Sequence, residues 1–525
     1  MPKTLEAVDV VIVGAGAAGS VFAAVLAEAG KSVVVVERGR DTKFSDLYSS
    51  QIWSRRLKWA APLVIEEGPD SIWPNFNTGH GVGGSAMHHY AVWPRYHEDD
   101  FQEQTLYGKS LDWPFEYSAL RPFYDQVQDD VGISGDAKQE PWRPPGAPYP
   151  LPPVLVSNHG QVLKRGFDAL KMRTSPIPMA VLSRPYKGRN PCIWDGWCDA
   201  GCPIGALANP LAVYIPRAQK AGARIVANAA VTRVLTDSTG KKASGVEYFT
   251  ADGQAVVQPA TAVVLCAFTV ENARLMLNSG NSKHPNGLGN SSGTVGRYLM
   301  SHPAIGVSGL FKDDMQNYLG ATGGQLLCQD VFDKKSDPSG AFGSRQWEIG
   351  LALKPNDLLG IAMTRPDIFG KGLHEFMLDG ARHMGSMVGV CEDEPVYENR
   401  VALAPQKDKW GMPVALIKYQ TTANGKKLWA TGAAEGVKIF KAAGAREAWH
   451  GPPGGQHIMG GTVMGKDPKK SVLNGSAQSH DVKNLFVGGP GVFPTSSSVN
   501  STFTAHAMAM KSARFMVDNW SAVKS

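Results

Sequence analysis

Long apolar runs are missing from this sequence; none reaches the ~18 residues a membrane-spanning helix needs. The opening stretch, MPKTLEAVD, lacks the apolar core of a signal peptide, and the first apolar run is already strand-like. The expectation is therefore no direct membrane span, and a cytoplasmic location for the chain on its own. Charge of one sign is also scarce. Lys and Arg number 53 against 47 Asp and Glu, and the net +6 is not gathered into any basic run, which argues against nucleic acid or a membrane surface as partner. Six cysteines in 525 residues are too few for a disulfide framework, so their spacing matters more than their number. There is no internal repeat and no low-complexity tract. Glycine, by contrast, is abundant at 58, as suits a loop-rich α/β enzyme, and the length predicts two domains with large cores.

What is there begins at Val8. The run Val8-Asp9-Val10-Val11-Ile12-Val13 meets Gly14-Ala15-Gly16-Ala17-Ala18-Gly19, a G-x-G-x-x-G spacing, and Ser20 to Ala29 then reads as a helix. Gly14 permits a tight turn, Gly16 lets backbone approach a pyrophosphate, and Gly19 lets the helix pack close to the strand, its N-terminal dipole facing the phosphates. A second run, Ser32 to Val36, delivers Glu37 to a strand end, where a carboxylate can accept hydrogen bonds from both ribose hydroxyls. The complete strand–turn–helix–strand–acid unit predicts a dinucleotide site for FAD or NAD.

Further along, Gly79 to His89 (GHGVGGSAMHH) is dense in glycine, as backbone covering something flat or phosphorylated would be, and ends in tandem histidines. A helix is expected over Tyr117 to Val131, a stiff proline-rich connector over Pro141 to Pro153, and a helix near Leu211 to Ala221. Alternating runs, Ala223 to Leu235 and Ala243 to Phe249, predict a β-meander closed by the buried run Thr261 to Cys266. From about Met300 short β-type pieces (Gly306 to Phe311, Trp347 to Leu353, Val401 to Leu403, Val414 to Tyr419) surround a helix near Gly372 to His383, which suggests an inserted antiparallel sheet. Glycine-rich text then returns, with a strand at Asn484 to Val487 and a last helix from about Ser501 to Trp520.

Cys192, Cys198 and Cys202, followed by Pro203-Ile204-Gly205, form the tightest chemical cluster. Thiolates so spaced on a loop can converge on one metal centre, and Cys followed by Pro recurs in ferredoxin-type ligation. A zinc site lacking an obvious fourth ligand, a disulfide stranding one thiol, and three unrelated buried thiols are the alternatives. Cys266, Cys328 and Cys391 lie in apolar or scattered settings and are expected to be buried and inert.

Several blocks together resemble the glucose-methanol-choline (GMC) oxidoreductase family: the nucleotide unit, V-G-G-S-A-M-H-H, A-F-T-V-E-N-A-R-L-M-L-N-S-G, Q-H-I-M-G-G-T, and F-P-T-S-S-S-V-N-S-T. They span nearly the whole chain in the family's order. The resemblance implies a mixed α/β fold, with a Rossmann-like FAD domain (1–299 and 450–525) and an inserted antiparallel-sheet substrate domain (300–449). It implies FAD as cofactor and oxidation of an alcohol carbon by hydride transfer to the flavin. Aligned to the family's closing motifs, His457 stands at the active-site histidine, and Asn500, six residues after Pro494, stands where the family has a second histidine or an asparagine. The implied cofactor contacts are Gly14, Gly16, Gly19, Glu37, Gly83, Gly84, Ser85, His88, His89, Val231, Gly489, Ser501 and Thr502. His88 falls where a few family oxidases attach flavin covalently. Two departures stand out: Gly488-Gly489 replace an acidic position near the flavin, leaving that contact to backbone, and Phe268 to Asn272 replace the usual A-G-x-x-x-S/T-P. His302 and His506 have no chemistry in this reading and are expected to be structural.

The three-cysteine segment, near 188–206, is similar to that of catalytic subunits of bacterial flavoprotein–cytochrome c sugar dehydrogenases. This implies a [3Fe–4S] cluster on Cys192, Cys198 and Cys202, a sugar or polyol substrate, a small signal-bearing export subunit, and a cytochrome c subunit at the periplasmic face of the inner membrane. An oxygen-using oxidase of the same fold is one rival. A non-catalytic FAD-holding electron-transfer subunit is another, and the His457–Asn500 pair counts against it.

Overall fold

The computed structural model describes residues 2–50, 52–54, 64–74 and 78–525. Two valine-rich runs seed its first sheet. Val8–Val13 and Val33–Val36 pair in parallel from Val10↔Val33 to Val13↔Val36 and are buried along almost their whole length, as strands covered on both faces must be. The helix between them, Ala17–Glu28, is apolar all round and buried from Ala18 to Ala27. It starts earlier than expected, inside the glycine motif, because Gly16 serves as its N-cap. A helix without a polar face needs cover on every side. Here the sheet, the short helix Tyr214–Lys220 and the last long helix, Ser501–Asp518, provide it.

The parallel order is Arg224–Val226, Val33–Val36, Val8–Val13, the second half of Ala255–Leu265, then Leu485–Val487. The first half of Ala255–Leu265 leaves this sheet and pairs antiparallel with Ala243–Phe249, which pairs in turn with Ala230–Thr236. This is the expected meander, with one correction: the run 223–235 is not a single strand. Asn228 takes a left-handed φ of +53°, and the N–H groups of Asn228 and Ala229 donate to the carbonyls of Gly39 and Glu37 at 2.7 and 2.9 Å. That break sends Arg224–Val226 into the parallel sheet and starts the meander at Ala230.

Among the described residues the second sheet has seven strands, antiparallel throughout: Glu447–His450, Met300–Leu310, Met384–Cys391, Arg345–Ile349, Leu326–Val331 and Ser175–Pro176 in order, with Gly454–Met459 also on Met300–Leu310. Its core is closed by two helices with no counterpart in the sequence reading, Asn158–Ala169 and Ala423–Ala442. The pieces near Val401 and Val414 do not join it. They form a hairpin, Arg400–Lys407 and Pro413–Lys418, which pairs with Val64–Glu67 in a separate small sheet. No helix among the described residues is long and apolar enough to cross a membrane.

Candidate active site

The strand ends Val13, Val36 and Leu265, with the turn after Val487, open onto a cavity of about 320 Å³, whose far wall comes from the antiparallel sheet. A ligand crevice beyond the carboxyl ends of parallel strands is where such sheets bind nucleotides. Gly14, Gly16, Glu37, Gly84, Ser85 and Val231 all line it. So do His88, His89, Gly489, Ser501 and Thr502.

The glycines have distinct tasks. A Cβ on Gly14, at φ +98°, would collide with the Cys266 carbonyl, whereas one on Gly16 would meet nothing closer than 3.8 Å and would occupy the cavity itself. A Cβ on Gly489 would likewise meet nothing within 4 Å. Gly19 and Gly83 are not in the cavity wall. Gly19 lets the helix close on the Gly14 carbonyl, and Gly83, at φ +107°, leaves room for the Met87 side chain.

Glu37 lies in the wall but is already engaged. Its Oε2 accepts from Ala15 N–H at 2.9 Å, and its Oε1 accepts from Gly39 and Gly81 N–H at 2.8 and 3.2 Å. Burial still raises its carboxyl above the ordinary range, these bonds opposing. A carboxylate offers about four lone-pair sites, so Oε2 keeps acceptor capacity for a ribose hydroxyl. His89 is also committed: Nε2–H donates to the Ala208 carbonyl at 3.2 Å, and Nδ1 accepts from Ala91 N–H at 3.1 Å. It therefore offers the cavity a ring rather than a free nitrogen.

His457 owes its position to a β-bulge. Gly454–Met459 pairs with Met300–Leu310 as Ile458↔Ser301 and Gln456↔His302, which leaves His457 as the extra residue, at a left-handed φ of +56°. A bulge of this kind re-aims one side chain at local backbone cost. The imidazole lines the cavity, and burial lowers it to about 3, the nearby His302 adding to the effect. It is neutral at any working pH. Across the bulge, His302 Nδ1 lies 3.0 Å from His457 Nδ1, and His302 Nε2 lies 3.1 and 2.9 Å from the Ser496 and Ser497 carbonyls. His302, expected to be structural, is thus in direct contact with the predicted base. His506 bonds the Thr502 carbonyl and packs on Trp93.

Asn500 is the N-cap residue of Ser501–Asp518, yet its side chain does not cap the helix. Its Oδ1 accepts from Gln346 Nε2 at 2.7 Å, and its Nδ2 lies 3.5 Å from His457 Nε2. Gln346 is held in turn by Gln329, whose Nε2 donates to Gln346 Oε1 at 2.9 Å. Glu348, also in the wall, is raised to about 7 by burial, with hydrogen bonds from Asn500 and Gln346 opposing. The sequence gives no signal for Glu348 or Gln346, which lie in an otherwise ordinary buried strand. The tip of the hairpin, including Trp410 and Met412, completes the wall and was equally unforeseen.

Cys192, Cys198 and Cys202 are free thiols on one loop, as are the buried Cys266, Cys328 and Cys391 elsewhere. The loop is tightly curled: Trp194, Gly196, Gly201, Cys202 and Gly205 all have positive φ. Trp194 N–H donates to Cys192 Sγ at 3.3 Å and Leu207 N–H to Cys202 Sγ at 3.4 Å. Burial raises Cys198 to about 11, and Cys202 adds to the rise. Lys354 is buried against this loop. Its Nζ has no hydrogen-bond partner among the described residues and sits 5.2 Å from the centre of the Trp197 ring, while its charge favours the Cys198 thiolate. The loop backs onto the cavity wall, because Ala208, just beyond it, carries the carbonyl held by His89.

A Rossmann-type cofactor crevice with a neutral imidazole and an amide in its wall defines a dinucleotide-dependent oxidoreductase. Comparison with known proteins specifies it further. The GMC oxidoreductase family profiles match residues 156–304 and 395–509, and that of an NAD(P)-binding Rossmann-like domain matches 12–70. The chain is 30% identical to 2-methyl-1,2-propanediol dehydrogenase of Mycolicibacterium austroafricanum, covering 98% of this chain and 96% of that one. It is 29% identical to the fructose dehydrogenase large subunit of Gluconobacter japonicus, with 97% and 98% covered. Among solved structures, a formate oxidase of Aspergillus oryzae superposes with a TM-score of 0.69 at 16% identity, over 100% of both chains. The chain belongs to the GMC oxidoreductase family. It is accordingly an FAD-dependent oxidoreductase acting on CH–OH groups.

Proposed function

We propose that this protein is a dehydrogenase that oxidises a hydroxyl of a sugar, glycoside or polyol and passes the electrons singly, through a [3Fe–4S] cluster on Cys192, Cys198 and Cys202, to a cytochrome c. The observation that carries the oxidation is the neutral His457 beside Asn500 in the cavity wall. A neutral imidazole accepts the hydroxyl proton, and an amide N–H stabilises negative charge developing on that oxygen. Glu348 and Gln346 hold the Asn500 amide in place. The wall glycines leave space for the pyrophosphate, and the N-terminus of Ser501–Asp518 turns its positive dipole end to the cavity. When bound, FAD supplies the two-electron acceptor and the cluster supplies a one-electron outlet.

Two features of the cysteine loop support the cluster reading. Inward N–H···S bonds suit thiolate ligands, and the buried Lys354 ammonium suits an anionic neighbour, since an uncompensated buried cation is costly. Two relatives support the electron-passing reading: one is named a large subunit, and a second, at 28% identity over 97% of this chain, is the gluconate 2-dehydrogenase flavoprotein of Pantoea cypripedii. On this reading a signal-bearing partner carries the folded chain to the periplasmic face of the inner membrane and a cytochrome subunit anchors it there.

The test is metal analysis of purified holoprotein together with an anaerobic sugar and polyol panel using an artificial acceptor. About three irons per FAD, and a low-temperature EPR signal lost on reduction, are expected. Changing Cys198 to Ser should abolish cytochrome reduction while substrate still bleaches the flavin. Zinc in place of iron, or unchanged cytochrome reduction, favours the oxygen-using oxidase.

A further inference from the structure

The two histidines at the bulge, His302 fully buried and His457 partly exposed to the cavity, form a directional pair. The Ser496 and Ser497 carbonyls can only accept, so His302 Nε2, at 3.1 and 2.9 Å from them, carries a hydrogen. These carbonyls lie in a pinned turn: Ser496 Oγ donates to the Asp393 carbonyl at 2.9 Å and accepts from Asp393 N–H at 2.8 Å. His302 has none of its surface exposed, and burial lowers it to about 4, the two carbonyl bonds opposing, so the ring is neutral. With its hydrogen on Nε2, its Nδ1 is a bare lone pair. The 3.0 Å contact between the two Nδ1 atoms then requires the hydrogen to sit on His457. That leaves His457 Nε2 as the bare nitrogen, which agrees with the Asn500 amide nitrogen lying 3.5 Å from it. Asn500 cannot present its oxygen there instead, because Oδ1 is bound to Gln346.

We propose that His302 is a positioning residue that holds His457 in the Nδ1–H tautomer, so that the basic lone pair on Nε2 is the one presented beside Asn500. The proposal rests on the reading of His457 as the base. Without His302, the Nδ1–H of His457 would lose the acceptor 3.0 Å away that fixes it, the hydrogen could shift to Nε2, and the base would then face the substrate already protonated. The bulge serves both requirements: it turns His457 into the cavity and brings its other nitrogen against the neighbouring strand.

Neutron diffraction from deuterium-exchanged crystals of the FAD-loaded protein tests this directly. Deuterium is expected on His457 Nδ1 and His302 Nε2, with none on His457 Nε2. Deuterium on His457 Nε2, or on both nitrogens of His302, overturns the proposal. In kinetics, His302→Leu should lower kcat about 10-fold, the scale of one lost hydrogen bond, with KM little changed. His302→Asn, whose Oδ1 can accept from His457, should recover most of the loss. Equal turnover in parent and FAD-loaded His302→Leu overturns the proposal, as does equal loss in both variants. If His457→Ala itself leaves turnover unchanged, the base assignment fails, whereas the neutron map still reports the tautomer.

Discussion

Replacing Glu348 with Gln isolates one titration at the heart of the site. Glu348 has 4% of its surface exposed, and burial raises its carboxyl from 4.5 to about 7, hydrogen bonds from Asn500 and Gln346 opposing. At about 1.4 kcal/mol per pH unit, ionising it in the folded protein costs about 3 kcal/mol more than in the unfolded chain. A carboxyl with a raised folded value binds its proton more tightly when folded. Its contribution to stability is therefore full below about pH 4.5 and is lost as pH rises through about 7. Gln keeps the shape and the hydrogen-bonding capacity but cannot ionise. At about 2.1 cal/mol/K per residue the unfolding entropy of this chain is about 1.1 kcal/mol/K, so the variant should melt about 3 °C above its parent at about pH 8.5 and alongside it at about pH 5. Thermal melts of holoprotein and variant at both pH values measure this. Glu140 and Asp393, also raised to about 7 chiefly by burial, are common to both proteins and cancel. A melting difference that is the same at both pH values would refute the argument.

His457→Ala should retain FAD and lose about 10²–10⁴-fold in turnover, as expected for removal of a general base; near-native turnover at saturating substrate would exclude it from that role. Gly14→Ala places a Cβ against the Cys266 carbonyl at φ +98°, so the protein should purify with little FAD, which the ratio of flavin to protein absorbance reports. If the proposed cluster is present, Lys354→Met should keep its iron and shift the cluster's reduction potential downward, because a buried positive charge favours the reduced, more negative state. An EPR-monitored redox titration reads the shift, and an unmoved potential would remove Lys354 from that role.

The strands around Val8 and Val33 were legible because full burial on both faces writes itself as uninterrupted valine, and the helix Tyr117–Val131 because its buried residues recur at helical spacing. The helix Ala423–Ala442 was not. Its large apolar contacts, Leu428 and Ile439–Phe440, lie near its two ends, and between them it meets the sheet through glycine: a Cβ on Gly432 or Gly436 would collide with Ile305 or Val307. A stripe interrupted by absent side chains has a weak hydrophobic period to read. Within the site, His457 and Asn500 could be located by motif, but their geometry could not. The bulge depends on register with a strand more than 150 residues earlier, and Gln346 and Glu348 meet Asn500 only once two distant segments pack. His302 was dismissed for the same reason, since its partners at 457, 496 and 497 are all remote in sequence.

The first sheet has a further consequence for how the protein is made. Its nucleotide half-site is assembled from residues 8–37, which leave the ribosome ahead of the segments that complete it. One edge strand is Leu485–Val487, and the first helix is covered partly by Tyr214–Lys220 and partly by Ser501–Asp518. During synthesis the first helix therefore stays only partly covered until Ser501–Asp518 has emerged. Contacts of such sequence separation form slowly and leave intermediates prone to aggregate. Deleting Ser501–Asp518 should therefore cost FAD retention before it costs the antiparallel sheet.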